Sequence, residues 1–175
     1  MVLKIGHPSP DFQADSYSQG EDKPKKISIS TLKGKWVILF FYPRDFTFVC
    51  PTEIERFSSL ASEFAKENAE IIGASTDSFF CHKAWYETDE RLKEVKFPII
   101  SDTNLNVSRL YEVLDETSGT AFRGTFIIDP NGILHHITIN NMDTGRSVDE
   151  TLRTLQALKT GALCPAEWRP GQKTL

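Results

Sequence analysis

Cys50 lies three residues after Thr47 and seven after Pro43, in the segment Phe41-Tyr-Pro43-Arg-Asp-Phe-Thr47-Phe-Val-Cys50-Pro51-Thr-Glu53. An apolar run ends at Pro43, a loop follows, and Pro51 suits the first turn of a helix, so Cys50 falls at a helix start. Unpaired backbone N–H groups and the helix dipole favour an anion there, and hence thiolate over thiol. Thr47 is close enough to set its hydroxyl against the sulfur or a bound oxygen, and Pro43 can wall the pocket without offering a competing donor. The chemistry that suits this arrangement is nucleophilic attack by sulfur. A cysteine taken alone is more often a small buried thiol; the Pro43/Thr47/Cys50 spacing at a strand-to-helix junction argues for the reactive reading.

Two further cysteines, Cys81 and Cys164, make an odd total with no CxxC spacing. No Cys or His pair has metal-ligand spacing, so a zinc site has no support, and no haem or flavin motif occurs. Cys81 opens a helix and reads as a small, partly buried packing residue. Cys164 follows the last helix in Gly161-Ala-Leu-Cys164-Pro-Ala-Glu-Trp168, a loop where a thiol can be reached. The histidines contribute little: His135 and His136 are adjacent on an expected strand and point to opposite faces. Trp85 and Phe79 read as packing residues.

The elements that must position Cys50 follow from pattern. Lys35 to Tyr42 is a continuous apolar and aromatic run, expected as a central strand covered on both faces. A helix is expected from Cys50 to about Asn68, with Ile54, Phe57, Leu60, Ala61 and Phe64 on one stripe. Ala69–Ser75 reads as a second buried strand, Phe80–Thr88 as a helix, Phe97–Ile100 as a short strand and Leu105–Tyr111 as a helix. Gly124–Pro130, the Asn131-Gly132 turn and Ile133–Ile139 form a hairpin signal, and Val148, Leu152, Leu155 and Leu158 mark a final amphipathic helix. The polar stretch Asp15–Lys26 is expected as a hairpin or loop, with the basic cluster at Lys23–Lys26 on a solvated turn. Helix and strand signals alternate before the hairpin, which fits an α/β sandwich with a mixed sheet.

The chain has 175 residues and a net charge of −4, which fits one domain and shows no basic face for nucleic acid. No apolar run approaches the roughly 18 residues of a membrane span, and the N-terminus lacks the pattern of a signal peptide. A cytoplasmic location is expected, where structural disulfides are rare.

The Pro43/Thr47/Cys50 segment resembles the active-site signature Pro-x-x-x-Thr-x-x-Cys of the peroxiredoxins, specifically the typical two-cysteine group that includes the peroxidase component of bacterial alkyl hydroperoxide reductase and the thioredoxin peroxidases. The similarity runs nearly end to end, through residues 75–85, 97–102, 123–133, 145–153 and 163–171. It implies a thioredoxin-like fold, with a mixed central sheet flanked by helices and an N-terminal hairpin extension. It also implies a peroxidase domain over 1–160 and a tail over 161–175. By this resemblance Cys50 is the peroxidatic cysteine, Cys164 the resolving one, and Arg123 the arginine that stabilises the thiolate and the polarised peroxide. Glu53 and Arg146 match a pair that orients the active-site arginine; taken alone, Arg146 reads equally as a solvated charge at a helix start. The resemblance further implies a peroxide substrate, a dithiol protein reductant (thioredoxin, a flavoprotein reductase or another small dithiol protein), and an antiparallel homodimer assembling into a ring of five dimers. It places the Cys81 helix start at the contact between dimers, where Cys81 would face its symmetry mate or tune the ring.

Two features of easily overoxidised members are missing. Glu87–Lys96 stands where those carry a Gly-Gly-Leu-Gly insertion, and the chain reaches Leu175 without a Tyr-Phe helix. Rapid disulfide formation and resistance to sulfinic acid are expected. A thiol-disulfide oxidoreductase would require CxxC, whereas Cys50 is followed by Pro51-Thr52-Glu53. A holdase or scaffold ring would not require Pro43, Thr47, Cys50 and Arg123 together.

Overall fold

Strand β3 (Trp36–Phe41) runs through the middle of the molecule, and its side chains alternate between two separate apolar cores. Ile38 and Phe40 point to one face, with Ile54, Phe57, Trp85 and Leu155; Val37, Leu39 and Phe41 point to the other, with Tyr111, Phe126 and Leu134. A strand covered on both sides needs the unbroken apolar run seen in the sequence. The computed structural model describes residues 3–175.

β3 lies between the parallel β4 (Ala69–Ser75) and the antiparallel β8 (Arg123–Ile128) of a seven-stranded mixed sheet ordered β2-β1-β5-β4-β3-β8-β9. β1 (Ala14–Tyr17) and β2 (Lys25–Ile27) form the expected N-terminal hairpin, which joins the sheet through β5 (Ile99–Ser101). Lys25 and Lys26 belong to this exposed edge strand and pair with Glu21 and Asp15. β4 and β3 pack closely at Gly73, where a Cβ would lie 2.5 Å from Ile99 Cδ1 and 2.9 Å from Phe40 Cζ. Helices α3 (Phe79–Thr88), α4 (Asn106–Leu110) and α5 (Val148–Lys159) lie near their expected positions. A small separate sheet, β6 (Leu114–Asp115) with β7 (Thr120–Ala121), was not foreseen.

Two expectations are corrected. The helix expected from Cys50 to Asn68 is two helices, α1 (Cys50–Ser59) and α2 (Ala61–Lys66), broken at Leu60 (φ −99°, ψ 4°). At the break, Ser59 Oγ donates back to Arg56 O (2.8 Å), the carbonyl that also takes the Leu60 amide (3.2 Å), a competition that an apolar stripe does not reveal. The hairpin loop is also longer than Asn131-Gly132, because β8 stops at Ile128 and β9 spans Leu134–Asn140. The Asp129 carboxylate accepts the Asn131 and Ile133 amides (2.9 and 2.8 Å), and Gly132 supplies the positive φ (84°) that the turn demands.

Candidate active site

Cys50 is the first residue of α1 and is buried, at 1% exposure. The loop from Pro43 to Val49 carries the chain from β3 to this helix. Val49 is the N-cap and offers no side-chain cap, as a β-branched apolar residue cannot. Pro51 has no N–H, and the Thr52 and Glu53 amides both turn back to Val49 O (3.1 and 3.4 Å). The donors expected from the helix start therefore narrow, among the described residues, to the Cys50 amide.

The missing positive group comes from β8. Arg123 Nη1 donates to Cys50 Sγ at 3.4 Å and to Glu53 Oε2 at 2.8 Å, with the guanidinium 4% exposed. Glu53, one turn into α1 and 3% exposed, accepts with both oxygens: Oε2 takes Arg123, while Oε1 takes the Arg146 amide (2.8 Å) and Nε (2.9 Å). The Arg146 side chain is buried, so it is not a solvated helix-start charge. Its Nη1 reaches Gly124 O (2.7 Å) and Thr125 Oγ1 (3.0 Å), its Nη2 reaches Phe41 O, and the guanidinium lies 5.4 Å from the Phe40 ring centroid. Burial pulls its pKa down, and the Glu53 carboxylate opposes that pull. One carboxylate shared by two buried guanidiniums leaves a net positive site beside the sulfur, and planar forks at fixed donors hold the geometry.

Thr47 is half-buried, and its hydroxyl donates to Arg44 O (2.9 Å) instead of to the sulfur. Its proton being committed, the oxygen is left as an acceptor. Pro43 is buried at the base of the loop.

Sequence reasoning missed three supports. Arg123 Nε donates to Met142 O (2.7 Å), a backbone carbonyl that carries no residue signature. Gly145 lies against the helix start, where a Cβ would approach Val49 Cγ1 to 3.3 Å. The expectation that histidines contribute little is corrected by His82, fully buried on α3. Its Nδ1 pairs with Asp45 Oδ2 (2.7 Å), its Nε2 with Ile100 O (3.2 Å), and Tyr42 donates to Asp45 Oδ1 (2.8 Å). This chain fastens the middle of the Pro43–Val49 loop to the core. No local signal marked the pair, since Asp45 follows Arg44 and His82 precedes Lys83, as solvated polar residues would.

Cys164 is half-buried beyond α5, and its thiol donates to Ala157 O (3.7 Å) and meets Thr160 Oγ1 (3.3 Å). All three cysteines are free, and Cys164 has no hydrogen bond to any residue of the Cys50 site. Cys81 is half-buried in the first turn of α3, its amide capped by Ser78 Oγ. Burial, and then the Asp45 and Asp77 carboxylates, push its thiol up to about 12.

The family model described as AhpC/TSA family matches residues 5–137, which hold Cys50 and its arginine partner on β8. The chain belongs to the AhpC/TSA family. It is 52% identical over 178 residues to peroxiredoxin-1 of Gallus gallus, covering 98% of this chain and 89% of that one. It is 49% identical over 178 residues to a chloroplastic 2-Cys peroxiredoxin of Spinacia oleracea, covering 98% and 67%. The reduced 2-Cys peroxiredoxin of Plasmodium vivax superposes with a TM-score of 0.93 at 34% identity, over 99% of this chain and 93% of that one. The fold is thus the thioredoxin-like fold of peroxiredoxins, and the activity is that of a thiol-dependent peroxidase.

Proposed function

We propose that Cys50 is the peroxidatic cysteine of this peroxidase and Cys164 its resolving partner. The observation that carries the assignment is the Arg123 N–H on a buried sulfur at a helix start. Thiolate Cys50 attacks the terminal oxygen of ROOH; an S–O bond forms as the O–O bond breaks, and the departing alkoxide leaves as ROH after taking a proton. Charge grows on that oxygen, so donors fixed beforehand are the main source of rate. Arg123 serves as one and the Cys50 amide as a second. Thr47, with its own proton on Arg44 O, accepts the hydrogen of the peroxide and orients it. Pro43 closes the pocket, while Glu53 and Arg146 hold Arg123 in place.

Cys50 sulfenic acid then condenses with the Cys164 thiol, releasing water and leaving a disulfide for a dithiol protein to reduce. Cα atoms of a disulfide lie within about 7 Å, so α1 and the tail must move for this step. The reading treats 1–160 as the peroxidase domain and 161–175 as the tail that delivers the resolving thiol. It includes an antiparallel homodimer in which the tail serves the neighbouring Cys50, assembly of five dimers into a ring, and a cytoplasmic location. No helix among the described residues is long and apolar enough to cross a membrane.

The test compares peroxide consumption by wild type, Cys50→Ser and Cys164→Ser with a dithiol reductant. Cys50→Ser should lose all activity, and Cys164→Ser should lose turnover while still trapping one sulfenic acid per chain. Consumption that survived Cys50→Ser would overturn the assignment.

A further inference from the structure

The tail beyond Cys164 is folded on itself. Leu175 N donates to Leu163 O (2.8 Å), the Trp168 indole N–H to Gln172 O (3.1 Å), and Arg169 N to Gln172 Oε1 (2.8 Å). This small loop buries Trp168 to 5% exposure. Among the described residues, one hydrogen bond joins residues 165–175 to the helix beneath them: Arg153 Nη1 of α5 to Trp168 O, at 3.1 Å.

Arg153 is set up for that contact. Glu150, one turn earlier on α5, takes its Nε and Nη2 in a fork at 2.6 Å each, and Thr154 Oγ1 braces the same carboxylate at 3.2 Å. The guanidinium is thereby fixed with its remaining edge toward the tail. Glu150 above all, with Glu167 and Cys164 further off, raises its pKa. While the loop is docked, the Cys164 thiol is turned to the last turn of α5, at Ala157 O and Thr160 Oγ1. Both contacts hold the thiol against its own helix end, immediately before the docked loop begins.

We propose that Arg153 is a latch, a positioning residue that holds the folded tail on α5 and sets how soon Cys164 becomes available. The inference rests on the assignment of Cys164 as the resolving cysteine. The step it controls is the condensation in which the Cys50 S–O bond breaks, the S–S bond forms, and the Cys164 proton leaves with hydroxide as water. Its competitor is attack of the same Cys50 sulfenate on a second peroxide, giving sulfinate and an alcohol. A hydrogen bond from a charged donor shifts such a docked/released equilibrium about tenfold or more.

The experiment uses the full reduced chain as wild type, Arg153→Ala and Arg153→Lys. Chymotrypsin cleavage after the buried Trp168 reports release without involving thiol chemistry. Rapid mixing with hydrogen peroxide separates Cys50 oxidation from disulfide formation. Arg153→Ala should be cut about tenfold faster, with a matching gain in disulfide over sulfinate. Arg153→Lys should fall between, and the rate at which peroxide consumes Cys50 should not change. General loosening would instead expose Cys81 to alkylation, which should stay at the wild-type rate in all three. Unchanged cleavage in Arg153→Ala, or faster cleavage accompanied by faster Cys81 labelling, would overturn the latch. A wild-type Cys50 that ignored peroxide would sink the functional assignment, while the cleavage rates would still decide the latch.

Discussion

Glu53 is the residue on which the site's electrostatics turn. Two guanidiniums, each 4% exposed, share its carboxylate, and neither has water to fall back on. Removing one partner of such a buried network leaves uncompensated charge, which costs about 3–5 kcal/mol. Glu53→Gln preserves size but removes the charge, so urea unfolding should show a loss of that order, and peroxide reactivity at Cys50 should fall with it. A stable, active Glu53→Gln protein would mean that Met142 O alone suffices to place Arg123. Cys81 illustrates the opposite case, a thiol kept inert. With its pKa raised to about 12 by burial and then by Asp45 and Asp77, it stays protonated in the folded state where an unfolded thiol would ionise. The unfolded chain thus binds fewer protons above about pH 9, the ordinary thiol value. The folded state loses stability through this group as pH rises from there toward 12, and below that window the group has no effect on the pH dependence. At pH 8, iodoacetamide should label Cys164 well before Cys81 in the native protein, by peptide mass spectrometry; equal labelling would contradict the perturbed thiol.

At the scale of elements, the break at Leu60 makes α1 a ten-residue helix distinct from α2. What holds it is the segment after α3, where a short turn over Glu90–Leu92 places Leu92 and Val95 in the apolar cluster of Ile54 and Phe57. Leu92 is fully buried, so Leu92→Ala should cost about 2–5 kcal/mol in chemical unfolding. The segment carries no Gly-Gly-Leu-Gly insertion to lock α1 further. Under modest peroxide with turnover, mass spectrometry should find Cys50 mainly as disulfide, and a predominance of sulfinate would contradict that. The helix expected as one piece and found as two shows why element boundaries were only partly legible. The apolar stripe continues across Leu60, while at the break the Ser59 hydroxyl shares Arg56 O with the Leu60 amide, a competition that periodicity does not display.

At the scale of the molecule, large apolar side chains stay exposed around the loop and α3: Phe48 at 92%, Phe80 at 74% and Phe46 at 58%. The proposed ring would cover them, since Phe80 and Cys81 open α3 beside the loop that holds Cys50. Phe80→Asp should therefore move reduced protein from decamer to dimer in sedimentation velocity, and an unchanged distribution would rule this helix out as the contact. The sequence by itself determined the central strand, the mixed α/β architecture and the Pro43/Thr47/Cys50 loop, because apolar periodicity and proline or glycine punctuation act over a few neighbouring residues. Resemblance added the N-terminal hairpin, Arg123, Glu53, Arg146 and Cys164. Only the tertiary structure decided how these meet: that Arg123 reaches the sulfur across seventy-three residues, that one glutamate serves two arginines, that the Thr47 proton goes to Arg44, and that His82 fastens the loop. Those contacts depend on which buried polar groups find each other once the sheet has closed, and strand pairing fixes that while local pattern does not. Cys50 was marked by its neighbours in the chain, and the charge beside it was brought by the fold.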